Sequence, residues 1–217
     1  MKKKLSEYSH VIWDWNGTLI DDVWLAVDVM NEMLIKRKIP LLTIERYKEI
    51  FDFPVKDYYE RVGFDFTVES FEIVGTEFIE NYNIRHFECN LYAPVYEMVR
   101  SLEKHSVSQS ILSARKQKQL DEEIVHYKLD SYIKFLVGLD NHYAGSKVDN
   151  GLMLLKELKL HRENVVLIGD TTHDFDVAHT MGVDCILIAS GHNTKDKLLR
   201  CNTQVFNALD ELLIDLK

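Results

Sequence analysis

Apolar residues in this chain gather into short runs rich in β-branched side chains: Val11–Trp15, Ser108–Leu112, Phe135–Leu139, Val165–Ile168 and Cys185–Ala189, each giving out at Gly, Asp or Ser. Runs this short and this continuous predict strands buried on both faces. Between them lie segments in which apolar positions recur at helical spacing, Val95–Lys104, Lys116–Tyr127, Leu152–Leu160 and Asp174–Met181. Strands that alternate with helices in this way predict an α/β fold, a doubly wound, mainly parallel Rossmann-like sheet.

One interval breaks the alternation. More than ninety residues separate the first two runs, far beyond a single crossover helix, and most of that stretch carries helical periodicity. Helices are expected over Trp24–Arg37, Thr43–Ile50, Val55–Val62 and Thr67–Tyr82, with turns at Ile39-Pro40, Phe53-Pro54 and Gly63. The expected division is therefore an α/β core of residues 1–21 and 91–217 with an inserted helical domain at 22–90.

Composition narrows the class. With 46% hydrophobic and 28% charged residues the chain reads as a folded protein, and a formal charge of -9 argues against nucleic acid or an anionic membrane as partner. Cys89, Cys185 and Cys201 are widely spaced and form no CxxC pair, so neither a disulfide framework nor a zinc site is expected. No run resembles a signal peptide or a membrane span. A cytoplasmic monomer or homodimer is the expectation.

In an open α/β sheet, ligands sit in the crevice at the carboxyl ends of the strands. Those positions hold Asp14 after the first run, Ser113 after the second and Gly169-Asp170 after the fourth, with Asp174 at the start of the next helix. Clustered carboxylates suit Mg²⁺, and Lys147 adds a positive charge. Such a set fits phosphoryl transfer, where a protein mainly positions the group and neutralises its oxygens, and a carboxylate nucleophile divides the displacement into two easier steps.

The residues DWNGTL (Asp14–Leu19), SILS ending at Ser113, Lys147 in SKVDNGL and GDTTHD (Gly169–Asp174) follow in the order and context of four motifs. On these the chain resembles the haloacid dehalogenase superfamily, in its phosphoglycolate-phosphatase-like branch with an α-helical cap. The resemblance implies a Mg²⁺-dependent hydrolase of a small phosphorylated metabolite. It makes Asp14 nucleophile and metal ligand, Ser113 a phosphate hydrogen-bond donor and Lys147 the neutralising cation, while Thr18, Ala114 and Arg115 are further substrate-binding candidates, with Ala114 standing where the family often has Asn. Asp170 and Asp174 would hold or support the metal, with Asn16 contributing its backbone carbonyl.

Asn16 departs from the pattern. The family's second Asp protonates the leaving oxygen and then deprotonates water, and an amide does neither. The loss weighs most on alkyl phosphates and least on acyl phosphates, anhydrides and aryl phosphates. Three readings stay open: a selective phosphatase, a phosphonoacetaldehyde-hydrolase-like enzyme using a cap lysine (Lys36, Lys38, Lys48 or Lys56), and a phospho-ligand binder without turnover. His173 is the first candidate for a substitute base, with His142 and His192 behind it. Lys56, Tyr58, Tyr59 and Arg61 are possible cap contacts, whereas Phe71, Phe78 and Tyr82 read as cap core. If only the missing acid limits the reaction, Asn16→Asp should raise turnover on alkyl phosphates.

Overall fold

The computed structural model describes residues 3–139 and 147–216. His142 therefore lies outside the described residues. Six parallel strands form one sheet in the order β5-β4-β1-β6-β7-β8: β1 (His10–Trp13), β4 (Ser108–Lys116), β5 (Phe135–Leu139), β6 (Val165–Gly169), β7 (Asp184–Ile188) and β8 (Gln204–Phe206). The doubly wound α/β class is as the alternation predicts. A two-residue antiparallel pair, β2 (Ile20–Asp21) with β3 (Asn90–Leu91), stands apart from it.

Strand β1 is buried from end to end, as a central parallel strand must be. It pairs with β4 on one side and β6 on the other, and from it the chain winds outward in opposite directions. That reversal opens the crevice at the carboxyl ends of β1, β4 and β6. Helices α5 (Val95–Lys104), α6 (Gln117–His126), α7 (Lys147–Leu158) and α8 (Thr172–Met181) cover the sheet, followed by α9 (Lys195–Leu198) and α10 (Leu209–Leu213). Between β2 and β3 run α1 (Val23–Arg37), α2 (Ile44–Ile50), α3 (Val55–Val62) and α4 (Phe71–Arg85). No helix among the described residues is long and apolar enough to cross a membrane.

Three elements differ from expectation for physical reasons. Helix α7 is described from Lys147, five residues before the apolar stripe at Leu152, and Gly151 lets it press against α8: a Cβ there would meet the Met181 sulfur at 2.5 Å. Helix α4 starts at Phe71 because Ser70 caps it, accepting from the Ile73 amide, while Asp65 folds the preceding residues into a turn through the Thr67 amide and hydroxyl. Strand β8 has only three residues and no apolar run to announce it.

The core under the site is closely packed, with Ile168 on β6 fully buried. Ile168→Ala should destabilise the fold by about 2–5 kcal/mol, which urea denaturation measures.

Candidate active site

Asp14 directly follows β1, and its amide donates to the Ile168 carbonyl at 2.8 Å, so the β1–β6 ladder fixes the backbone on which its carboxylate stands. Asp170 follows β6, and Asp174 lies in the first turn of α8, where Thr171 caps the helix and Asp174 completes a capping box. Oxygens of Asp14, Asp170 and Asp174 lie within 4.8 Å of one another. The residues expected to form a cluster are thus brought together.

Lys147 binds the cluster into one unit. Its Nζ donates to Asp14 Oδ1 at 2.5 Å and to Asp174 Oδ1 at 2.6 Å. The other oxygen of Asp174 accepts from the amides of Asp170 and Thr171 and from the Thr171 hydroxyl. Asp174 thus holds Lys147 with one oxygen and the start of α8 with the other. Asp170 accepts from the Thr18 hydroxyl at 2.8 Å and from the His192 amide at 2.6 Å, and the Thr18 hydroxyl also lies 3.5 Å from Asp14 Oδ2.

Ser113 is buried at the point where β4 loses regular register with β5, and its hydroxyl accepts from the Arg115 amide at 3.0 Å. Ala114 is exposed and offers the site only its backbone. Arg115 corrects the expectation of a phosphate contact. Its guanidinium donates to Glu123 at 2.9 and 2.6 Å and to Asn83 at 2.7 Å, and lies over the Tyr82 ring. Trp15 also donates to Glu123, at 2.6 Å. Arg115 therefore ties β4 to α6 and α4.

Burial governs the charges. It raises the Asp14 carboxyl, Lys147 opposes it, Asp174 and Asp170 add to it, and the net shift is upward. Asp170 is raised in the same way, by burial first, with His192 opposing. Burial would raise Asp174 too, but Lys147 and Thr171 outweigh it and leave it low. Three acids thus lie together with one lysine that touches two of them, an oxygen cluster of the kind that a hard divalent cation completes. The donor set of Asp14, Asp170 and Asp174 fits a hard divalent cation such as Mg²⁺.

Asn16 is not free. Its Nδ2 donates to Asp22 Oδ2 at 2.8 Å and to the Tyr82 hydroxyl at 2.9 Å, and Tyr82 donates to the same Asp22 oxygen at 2.8 Å. Asp22 Oδ1 accepts from the Gly17 amide at 2.7 Å and lies 3.3 Å from His192 Nε2. The other nitrogen of His192 meets the Tyr47 hydroxyl at 2.8 Å. His173 is instead half-buried and stacked on Phe53 with centroids 4.3 Å apart.

Tyr82, Asp22 and Tyr47 escape a reading of the sequence alone. Tyr82 belongs to an aromatic stripe and does stack on Phe78, which masks its hydroxyl, while Asp22 looks like a helix cap. Of the possible cap contacts, Tyr58 and Tyr59 are buried among aromatic rings, Lys56 lies over Phe66, and Arg61 donates to the Ile50 carbonyl. Lys36 pairs with Glu77 and Lys38 ends α1, whereas Lys48 reaches the Ser190 carbonyl at 2.9 Å beside the crevice.

Comparison with known proteins gives the class. The chain belongs to the haloacid dehalogenase-like hydrolases, whose family profile matches residues 11–188. Tyrosine-protein kinase PtkA of Mycobacterium tuberculosis is 23% identical over 207 residues, 93% of this chain and 70% of that protein. Phosphoglycolate phosphatase 1 of Pseudomonas aeruginosa is 22% identical over 191 residues, 84% of this chain and 70% of that protein. The structure of a haloacid dehalogenase-like hydrolase from Streptococcus pneumoniae matches with a TM-score of 0.82 at 16% identity, covering 98% of this chain and 100% of its own.

The charge network can be tested at two points. Breaking the buried pair with Arg115→Met should cost about 3–5 kcal/mol, and adding Glu123→Gln, which removes the charge and keeps an acceptor for Trp15, should recover most of it, because the penalty is an uncompensated buried charge; denaturant titration of both variants decides this. Burial works against a charged His192, yet Asp22, then Asp170 and Asp14, lift its pKa from 6.5 to about 9. A raised pKa adds stability that is complete below the ordinary value and is lost as pH rises through the folded one. Metal-free protein in EDTA should therefore lose stability between about pH 6.5 and 9, a decline that His192→Gln should flatten in thermal melts.

Proposed function

We propose that the protein is a Mg²⁺-dependent phosphatase of a small phosphorylated metabolite, acting through a phosphoryl group carried on Asp14. The observation that carries this reading is Lys147 held between Asp14 and Asp174 with Asp170 adjoining. A lysine that clamps one oxygen of Asp14 leaves Oδ2 to attack phosphorus. The Oδ2–P bond forms as the bond from phosphorus to the leaving oxygen breaks, and water then displaces Asp14 to release phosphate. The relatives support the same chemistry, since a phosphatase and a kinase share phosphoryl transfer.

Asp14, Asp170 and the backbone carbonyl of Asn16 would hold the metal, which supplies neutralisation of the phosphoryl oxygens. Ser113 would donate to those oxygens and Lys147 would offset their charge, while Thr18 lines the same pocket through its bond to Asp170. No carboxylate at position 16 donates a proton to the departing oxygen. The reading therefore favours substrates whose leaving group needs none: acyl phosphates, anhydrides and aryl phosphates.

Residues 22–90 would serve as a cap that opens for substrate. In support, Asp14, Ser113, Lys147 and Asp170 are only 8%, 1%, 4% and 0% exposed. The turn after α2 is fastened across the crevice, with Asp52 3.0 Å from Lys197, Lys197 and Asn193 both donating to the Phe51 carbonyl, and Phe53 stacked on His173. Lid opening of this kind commonly sets turnover.

With Mg²⁺, acetyl and aryl phosphates should be hydrolysed faster than alkyl phosphates by about 10²- to 10⁴-fold. EDTA should abolish turnover, and Asp14→Asn should lower it on the order of 10³-fold or more. Phosphate release measures the rates, and intact mass after an acid quench should show a phosphoryl group on the wild type and none on Asp14→Asn. Turnover that survives Asp14→Asn sinks the reading.

A further inference from the structure

Asp22 sits at the start of α1 in the position of a helix cap, but its side chain caps nothing there. Both of its oxygens face the nucleophile loop and the elements around it: Oδ2 takes Asn16 and Tyr82, and Oδ1 takes the Gly17 amide and faces His192. Asp22 is 1% exposed. A carboxylate withdrawn from water is costly unless every lone pair finds a donor, and the donors here come from three separate segments of chain.

Asn16, Tyr82 and Asp22 close a triangle of hydrogen bonds. The amide supplies both of its protons, one to Asp22 and one to the Tyr82 oxygen, while Tyr82 passes its own proton to Asp22. A carboxylate at position 16 would bring no proton. Two acids would then face each other across 2.8 Å with a single hydroxyl proton between them, which drives one of them to protonate or move.

We propose that Asp22 is a positioning residue for the nucleophile loop, and that the amide at position 16 and the carboxylate at position 22 are a matched pair tying that loop to α4 through Tyr82. The donor–acceptor sense of the triangle can be inverted without changing its shape. In the exchanged pair Asn16→Asp/Asp22→Asn, the amide now at position 22 donates to the carboxylate now at position 16 and to the Tyr82 oxygen, and Tyr82 donates to that carboxylate. The pair is therefore required as a pair. This reverses the expectation that restoring an acid at position 16 alone should help.

The kinetic part of the test rests on the phosphatase reading, and the exchange part does not. Hydrogen–deuterium exchange of the peptide spanning residues 14–22 should accelerate in Asn16→Asp and return to wild-type protection in Asn16→Asp/Asp22→Asn. With Mg²⁺ and an aryl phosphate, Asn16→Asp should lower kcat about tenfold, the double exchange should restore it, and Tyr82→Phe, which keeps the ring, should lower kcat with little change in KM. An Asn16→Asp single variant with wild-type protection overturns the proposal, as does a double variant no better protected than the single. If the wild type hydrolyses no phosphate ester, the phosphatase reading fails, and the exchange measurements alone still decide the pairing.

Discussion

Everything at this site depends on one ammonium group shared by two carboxylates. Lys147 is 4% exposed and touches Asp14 and Asp174 at once. A buried lysine is disfavoured by desolvation, and a buried aspartate likewise, so each is tolerable only because the others are there. Burial lowers the Lys147 pKa, but Asp14 and Asp174 more than reverse that, leaving it raised. The arrangement explains why the flanking backbone must be bare. A Cβ on Gly17, which already has φ +71°, would run into Asp170 and His192, and one on Gly169 would run into Asp174.

The second constraint is positional. Asp14 is fixed by the ladder between neighbouring strands, whereas Asn16 and Gly17 lie beyond it and are held by side chains. Those side chains come from the start of α1 and from α4, so the shape of the loop depends on how these helices sit against the sheet. Arg115 extends the same tie, joining Glu123 of α6 to Asn83 and Tyr82 of α4. Hydrogen bonds thereby run continuously from the loop to the helices around it.

The sheet and the acidic cluster were legible in sequence because both obey short-range rules. Buried parallel strands must be continuous and apolar, and ligand-facing residues must follow them, so Asp14, Ser113 and Asp170 could be placed by counting. Lys147 was legible as a nearby positive charge, but its match to a motif came only through resemblance. Asp22 and Tyr82 were not, because they lie 6 and 66 residues along the chain from Asn16, and an aspartate before a helix carries the same local signal whether it caps or not. Arg115 misled for the reverse reason: its distance from Ser113 was right, but Glu123 claims it from a helix whose facing no local pattern reveals.

Position 16 shows how a residue type is selected by what it gives as well as by what it lacks. An amide cannot carry a proton to a leaving group, and that absence narrows the chemistry. It can give two protons at once, however, and a carboxylate cannot. Asp22 and the Tyr82 oxygen require both. With a buried acid already at 22, a second acid at 16 would add repulsion and remove two donors together, so the amide is the residue that the surrounding side chains demand. The carboxylate missing from DWNGTL has a counterpart at the threshold of α1, which accepts hydrogen bonds from that loop.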